Sequence, residues 1–178
     1  MKKILFALAG LTGSLFISAS AQAGRLDVSG TTDVYGQVSA QNFGVGAGIE
    51  HWFNNNVGIG GGVSGGIGSN FEVIDVRALF LLDNEFDIAN SPARPFASAG
   101  LAAVQGPSYF GSNATGAGPE ISAGVMWETP WVKNLYFRPE IIVHLFNVKT
   151  TYAIGGTSYT YDAGYQNVDA TFAAVYRF

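Results

Sequence analysis

The stretch Asn167 to Phe178, NVDATFAAVYRF, decides the fold. Its even positions are Val168, Ala170, Phe172, Ala174, Tyr176 and Phe178; its odd positions are Asn167, Asp169, Thr171, Ala173, Val175 and Arg177. Side chains alternate across a strand, so one face is apolar and the other carries the polar groups. A half-buried strand of a soluble sheet has the same local pattern. The aromatic last residue and the recurrence of the alternation upstream point instead to strands with lipid on one side and a polar lumen on the other.

The start of the chain agrees with export. Lys2 and Lys3 precede an interrupted apolar run, Ile4 to Ile17, and Ala21-Gln22-Ala23 is a small-residue cleavage site, so Met1 to Ala23 is expected to be a removable signal. A spanning helix wants about 20 apolar residues, more than this run supplies. Residues 24–178 are expected to form one domain. All 13 acidic residues lie there, against seven basic ones (nine less Lys2 and Lys3), a balance of −6 without any basic cluster. That balance argues against a nucleic-acid partner. Charged residues are only 12 % of the chain, where about 25 % is usual for soluble domains. The absence of cysteine excludes disulfides and a lipoprotein-type anchor.

Alternation and turn residues divide the remainder into strands. The first runs from Leu26 to Val38, with Leu26, Val28, Val34 and Val38 outward and Asp27, Asp33, Tyr35 and Gln37 inward. After Ser39-Ala40-Gln41 the second, Phe43 to Trp52, turns Phe43, Val45, Ala47 and Ile49 to lipid and Gly44, Gly46, Gly48 and Glu50 inward. Phe53 to Asn56 is a tight turn. The third strand, Val57 to Ile67, has apolar Val57, Ile59, Val63 and Ile67 opposite a glycine-rich face. Gly68 to Asn70 leads into the fourth, Phe71 to Leu82, with Asp75 and Arg77 inward. A polar connection, Asp83 to Pro95, precedes the fifth, Phe96 to Val104, whose small residues leave its facing open. Beyond a loop at Gly106 to Ala117, the sixth, Gly118 to Glu128, points Glu120, Ser122 and Met126 inward. The seventh, Leu135 to Val148, follows the turn Thr129 to Asn134 and sends Arg138, Glu140 and His144 inward; Pro139 should cause a bulge or frayed register. Lys149 to Gln166 is the longest loop.

The fold class is therefore an all-β, eight-stranded antiparallel up-and-down transmembrane β-barrel, expected as a monomer. The confidently placed charges fall on polar faces, as they must when Arg or Lys at the lipid midplane costs about 2–4 kcal/mol. With the N-terminus periplasmic, Trp52, Trp127, Trp131, Tyr136, Tyr176 and Phe178 would form the periplasmic aromatic girdle, and Phe43, Phe71, Tyr109, Phe110 and Phe146 the outer rim.

The segments AGIEHWFNNNVGIGGG (Ala47 to Gly62) and LYFRPEIIVHLF (Leu135 to Phe146), with the ending Tyr176-Arg177-Phe178, resemble the small eight-stranded outer-membrane barrels of the OmpA/OmpX and opacity-protein type. The resemblance spans the signal and the rest of the chain. It implies the outer membrane of a Gram-negative bacterium, contact with outer-membrane lipid and lipopolysaccharide, and recognition of the terminal strand by the barrel-assembly machinery. No peptidoglycan-binding domain is expected after Phe178.

Asp75, Arg77, Glu120, Arg138, Glu140, His144 and Arg177 should share a lumen just wide enough for side chains to fill. The favoured reading is an ion-pair network that plugs and braces it, because unpaired charge there is costly. A narrow pore for ions or small solutes is the alternative, helped by the lumen glycines. Third comes an outer-leaflet lipid hydrolase, with His144 near Glu120 and Ser122 one inward position away, although no hydrolase motif surrounds them. No catalytic residue, cofactor or metal is assigned: His51 and His144 lie far apart and no cysteine offers ligand spacing. Gly58 to Gly62 lacks the Lys-Ser/Thr and helix of a phosphate loop. Tyr109, Phe110, Tyr152, Tyr159, Tyr161 and Tyr165 in the two long loops are candidate contacts for a host, matrix or envelope partner, since Tyr offers large contact area at little entropy.

Overall fold

The computed structural model describes residues 26–40, 44–66, 70–109 and 111–178. The leader Met1 to Ala23, Gln41, the outward positions Phe43 and Ile67, the turn residues Gly68 and Ser69, and Phe110 lie outside the described residues; Tyr109 is described as backbone alone.

The described chain forms β1 (Thr32–Ser39), β2 (Gly44–Trp52), β3 (Val57–Gly66), β4 (Glu72–Leu81), β5 (Phe86–Ile88), β6 (Ser91–Tyr109), β7 (Ser112–Glu128), β8 (Leu135–His144), β9 (Lys149–Ile154), β10 (Thr157–Asp162) and β11 (Val168–Arg177). Eight of them, all but β5, β9 and β10, close an antiparallel ring in chain order. The closure is β1 against β11, from Asp33 opposite Arg177 to Ser39 opposite Thr171. Closure leaves the ring no open edge, a condition for crossing lipid with strands. An even strand number brings Thr32 and Phe178 to one end, where the Phe178 amide donates to the Thr32 carbonyl at 2.9 Å.

Alternation dictates the facing throughout. In β11 every odd residue from Thr171 to Arg177 is buried and every even one exposed. Elsewhere the outer wall is likewise apolar, with Val38, Ile49, Val63, Ile74, Val76 and Leu101 exposed. The facing of the fifth ring strand, open in the sequence, is settled by Phe96, Ser98, Ala102 and Val104, which are buried, against exposed Ala99, Leu101 and Ala103.

Several expectations are corrected. Leu26 and Val28 do not face lipid; both are buried within the terminal end of the barrel, because Gly30, at φ +72°, redirects the chain before β1. Trp52 and Tyr136 belong to that same internal cluster with Leu79, Leu81, Phe96, Met126 and Val175, not to the girdle. Trp127, Trp131, Phe137 and Phe172 instead form a chain of outer-wall ring contacts, and Tyr176 meets Phe178. Phe71 and Phe146 pack with Val104, Ala114, Val148 and Tyr165 in a second cluster near the opposite end, so they plug the mouth and do not line its rim.

The long connections are also more regular than their polar composition indicates. Asp83 to Pro95 contains a hairpin, β5 with the start of β6, turned by Ala89 and Asn90 with both φ positive. Gly106 to Ala117 continues β6 and β7 far past the 9–11 residues that a tilted crossing needs. Lys149 to Gln166 carries the hairpin β9–β10, whose Gly155-Gly156 turn has positive φ at both residues, the geometry that matches strand twist. At Pro139 the ladder frays without a bulge: pairing of β7 with β8 is interrupted between Gly124↔Glu140 and Trp127↔Phe137 and resumes in the same register. Pro139 has no N–H to donate, and the ladder with β11 runs on unbroken through Phe172↔Pro139.

The glycines of β2 and β3 do not leave an open passage. A Cβ at Gly48 or Gly62 would collide with the Tyr35 ring or hydroxyl, and one at Gly58 would meet the Trp52 indole at 3.1 Å. Glycine makes the wall thin so that these rings can lie against it. Gly62→Ala is accordingly expected to destabilise the barrel by about 1–3 kcal/mol through overpacking, measured by urea unfolding in lipid vesicles. Adding Tyr35→Phe should recover part of that loss; no recovery would show that the Tyr35 hydroxyl is not the constraint.

Candidate functional site

The inward faces of the ring strands stack charge in layers along the lumen. At the terminal end Arg177, on β11, donates from Nε and Nη2 to the two oxygens of Asp33, each at 2.8 Å. The Trp52 indole donates to the same carboxylate at 3.0 Å. The guanidinium lies 4.1 Å above the Tyr136 ring, an additional cation–π contact. This layer lies with the apolar cluster of Leu26, Val28 and Trp52, whose Leu26 is tied to the wall by Arg94. That side chain donates to the carbonyls of Leu82 at 2.8 Å and of Leu26 and Leu81 at 3.2 Å. The Leu26 amide in turn donates to Glu85 at 3.2 Å.

The next layer is Arg138, 0 % exposed, whose Nη1 donates to both oxygens of Glu50 at 2.6 and 2.7 Å. Its guanidinium is flanked by the rings of Tyr35 at 4.9 Å and Phe96 at 4.7 Å. Glu140 links this layer to the next, 3.4 Å from Arg138 Nε and accepting from Arg77 Nη1 at 2.8 Å. Arg77 also donates to the Tyr35 hydroxyl at 3.3 Å, and its Nε stands 3.0 Å from Asp75 and 3.7 Å from Glu120. Last comes His144, with Nδ1 3.5 Å from Glu120 and its ring edge-on to Phe146 and Tyr165, both at 5.5 Å. Tyr165 also meets Phe71 at 5.3 Å, closing the lumen with aromatic surface. Tyr165 lies between β10 and β11, and burial raises its phenol above the ordinary value.

Asp75, Arg77, Glu120, Arg138, Glu140, His144 and Arg177 thus share one interior, in a chain of contacts interrupted between Arg138 and Arg177. Asp33, Tyr35 and Glu50 complete it. Those three were legible as inward residues; their role as partners was not, because it depends on ring closure between β1 and β11 and on contacts across the lumen. Ser122 does not approach His144 through any hydrogen bond, since its hydroxyl is shared with Ser98 at 2.7 Å. The carboxylates Asp33, Glu50, Asp75, Glu120 and Glu140 face the guanidinium groups of Arg77, Arg138 and Arg177, so the layer nearest the aromatic cap, Asp75 and Glu120, is the least compensated. Among the described residues no cluster of His, Asp and Glu is arranged to hold a metal.

The other candidate surface is the β9–β10 hairpin. Tyr152 stacks between Tyr159 at 5.9 Å and Tyr161 at 5.5 Å, on one face of a hairpin whose β10 is exposed throughout. A hydrogen bond with Tyr161 raises the Tyr152 phenol above its ordinary value. The opposite face pairs Thr151 with Thr160 at 3.0 Å.

A closed ring of antiparallel strands with an apolar outer wall and a polar, filled interior defines a small transmembrane β-barrel. The chain has the fold of the small eight-stranded outer-membrane barrels of Gram-negative bacteria. No family model and no curated protein sequence matches it. Among solved structures, the N-terminal β-barrel domain of Pseudomonas aeruginosa OprF superposes with a TM-score of 0.55 at 12 % identity, over 86 % of this chain and all of that one (100 %). The outer membrane protein AlkL, solved in DMPC bilayers, gives 0.55 at 10 % identity, over 90 % of this chain and 94 % of its own. At such identities the likeness is one of fold.

Removing Arg138 alone strands Glu50 and weakens the hold on Glu140. Arg138→Met is expected to cost about 3–5 kcal/mol, whereas Arg138→Met with Glu50→Leu should recover most of it, because an apolar replacement of a whole buried pair is often neutral. Urea unfolding of the refolded barrel in vesicles measures both; a double variant as unstable as the single one would contradict the pairing.

Proposed function

We propose that the protein is a non-conducting, non-enzymatic scaffold of the outer membrane that presents its hairpins for surface contact. The observation that carries this reading is the continuity of the filling: an apolar plug around Trp52, layered ion pairs around Arg138, and the aromatic cap of Phe71, Phe146 and Tyr165. Large barrels leave aqueous channels, whereas about eight strands leave room only for side chains. In this reading the termini are periplasmic and the tips of β6–β7 and β9–β10 lie outside. The exposed tyrosines of β9–β10 supply the contact surface for an envelope, host or matrix partner, with Tyr152 supporting Tyr159 and Tyr161. Assembly runs through the barrel-assembly machinery, and the wall is solvated by outer-membrane lipid and lipopolysaccharide.

Single-channel recording in a planar bilayer tests the scaffold. Wild type is expected to be silent, and so is Arg138→Ala, because the plugs on either side of that layer remain. A steady conductance changed by Arg138→Ala would make the lumen a pore. If both are silent, replacing Tyr159 and Tyr161 by Ser should lower binding of expressing cells to a matrix-coated surface, with barrel assembly unaffected. Unchanged binding would remove the hairpin from the account.

A further inference from the structure

The tyrosines of the β9–β10 hairpin are arranged more specifically than surface contact requires. In the hairpin register Tyr152 lies directly opposite Tyr159, and Tyr161 lies opposite Thr150. Tyr161 is therefore the diagonal neighbour of Tyr152 on the same face, a spacing that aromatic side chains bridge. The ring planes of Tyr152 and Tyr161 are 6° from parallel, with centroids 5.5 Å apart. Those of Tyr152 and Tyr159 are inclined by 27° at 5.9 Å. By contrast Tyr165 meets Phe71 at 62° and Tyr176 meets Phe178 at 73°, both edge-on.

Ring orientation decides one reaction of phenols. A one-electron oxidant removes an electron and a proton from tyrosine. The unpaired spin then occupies a π orbital perpendicular to the ring, with density on the carbons ortho to the oxygen. Parallel rings aim these orbitals at each other; edge-on rings do not. Two such radicals join through their ortho carbons, and the hydrogen on each joined carbon moves to its own oxygen, restoring both phenols. The pair has then lost two electrons and two protons, which one hydrogen peroxide takes up to leave as two waters.

The hairpin meets the other requirements. All of β10 is exposed, and it ends its sheet, so an oxidant reaches Tyr161 from the open side. A hydrogen bond between Tyr152 and Tyr161 holds the two phenolic ends together. Thiols and thioethers are the common oxidative targets, and they do not compete here. The chain has no cysteine, Met1 lies in the expected leader, and Met126 is 0 % exposed in the plug at the other end. We infer that Tyr152 and Tyr161 are a site of oxidative phenol coupling, a dityrosine staple between β9 and β10 formed by hydrogen peroxide and a haem peroxidase. It closes the hairpin covalently in a chain with no cysteine to do so. Coupling depends on the ring geometry and not on the contact role or the orientation proposed above.

The test is peptide mapping of the refolded barrel after treatment, at low protein concentration, with a haem peroxidase and hydrogen peroxide. Trypsin releases Thr150 to Arg177 as one peptide, since no Lys or Arg lies between Lys149 and Arg177. That peptide should lose two hydrogens, and its fragmentation spectrum should be silent between Tyr152 and Tyr161 and complete beyond. Tyr161→Phe should abolish the linked peptide, whereas Tyr159→Phe should retain it. In urea, where the rings are no longer stacked, the selectivity for Tyr161 over Tyr159 should disappear. No linked peptide from the folded wild type, a silent stretch that ends at Tyr159, an undiminished link in Tyr161→Phe, or the same selectivity in urea would each overturn the site. A heat-shifted gel mobility confirms that each variant is folded. Because no binding partner enters the assay, failure of the surface-contact reading would leave these results unchanged.

Discussion

Burial of charge in a narrow tube governs this molecule. Strands closed into a ring of eight leave an interior that only side chains can fill, and the charge that alternation sends inward must find compensation there. Asp33, Glu50 and Glu140 do so against Arg177, Arg138 and Arg77, in pairs that join strands distant in sequence. Asp33 and Arg177, 144 positions apart, lie opposite each other at the seam where the last strand meets the first. The same pair therefore satisfies a buried charge and sits where closure is decided. Loss of one member leaves the other charge buried without its counter-charge.

The wall adapts to the contents. Glycine faces the lumen where Tyr35 and Trp52 need to lie flat, and those rings in turn bracket or back the guanidinium and carboxylate groups. Arg138 between Tyr35 and Phe96, and Arg177 over Tyr136, show why arginine occupies these positions: its planar group can stack and donate at once, which a lysine ammonium does less well. Apolar clusters finish each end of the polar column. The chain before β1 contributes Leu26 and Val28 to one of them, so a segment outside the ring helps to seal it.

Much of this was legible because a barrel strand has a period of two and every slip exchanges its faces. The inward facing of Arg138, Glu140 and His144 follows from parity alone, as does the outward facing of Val63 and Ile74. What parity does not encode is height and partner. Trp52 and Tyr136 share the inward parity of Glu50 and Arg138, but their composition is that of an interfacial girdle, and their place in the terminal plug comes only from the partners they meet there. Leu26 and Val28 continue the alternation of β1 on paper, but the left-handed Gly30 ends the strand before them. The tips at Gly106 to Ala117 and Lys149 to Gln166 were hidden by composition: Gly, Ser, Thr and Tyr suit loops and solvated strands alike, and only pairing distinguishes the two.

The central claim is that the lumen is a dry, filled interior, and solvent access to one lumen side chain tests it most directly. The chain has no cysteine, so Ser98→Cys places a single thiol at a buried lumen position between β6 and β7. The barrel in lipid vesicles is treated with a small water-soluble thiol reagent, with Thr157→Cys in the exposed hairpin as reference. The account predicts prompt modification of Thr157→Cys and none of Ser98→Cys until urea unfolds the protein. Modification of Ser98→Cys at a comparable rate in the folded barrel would mean a water-filled lumen and would contradict it.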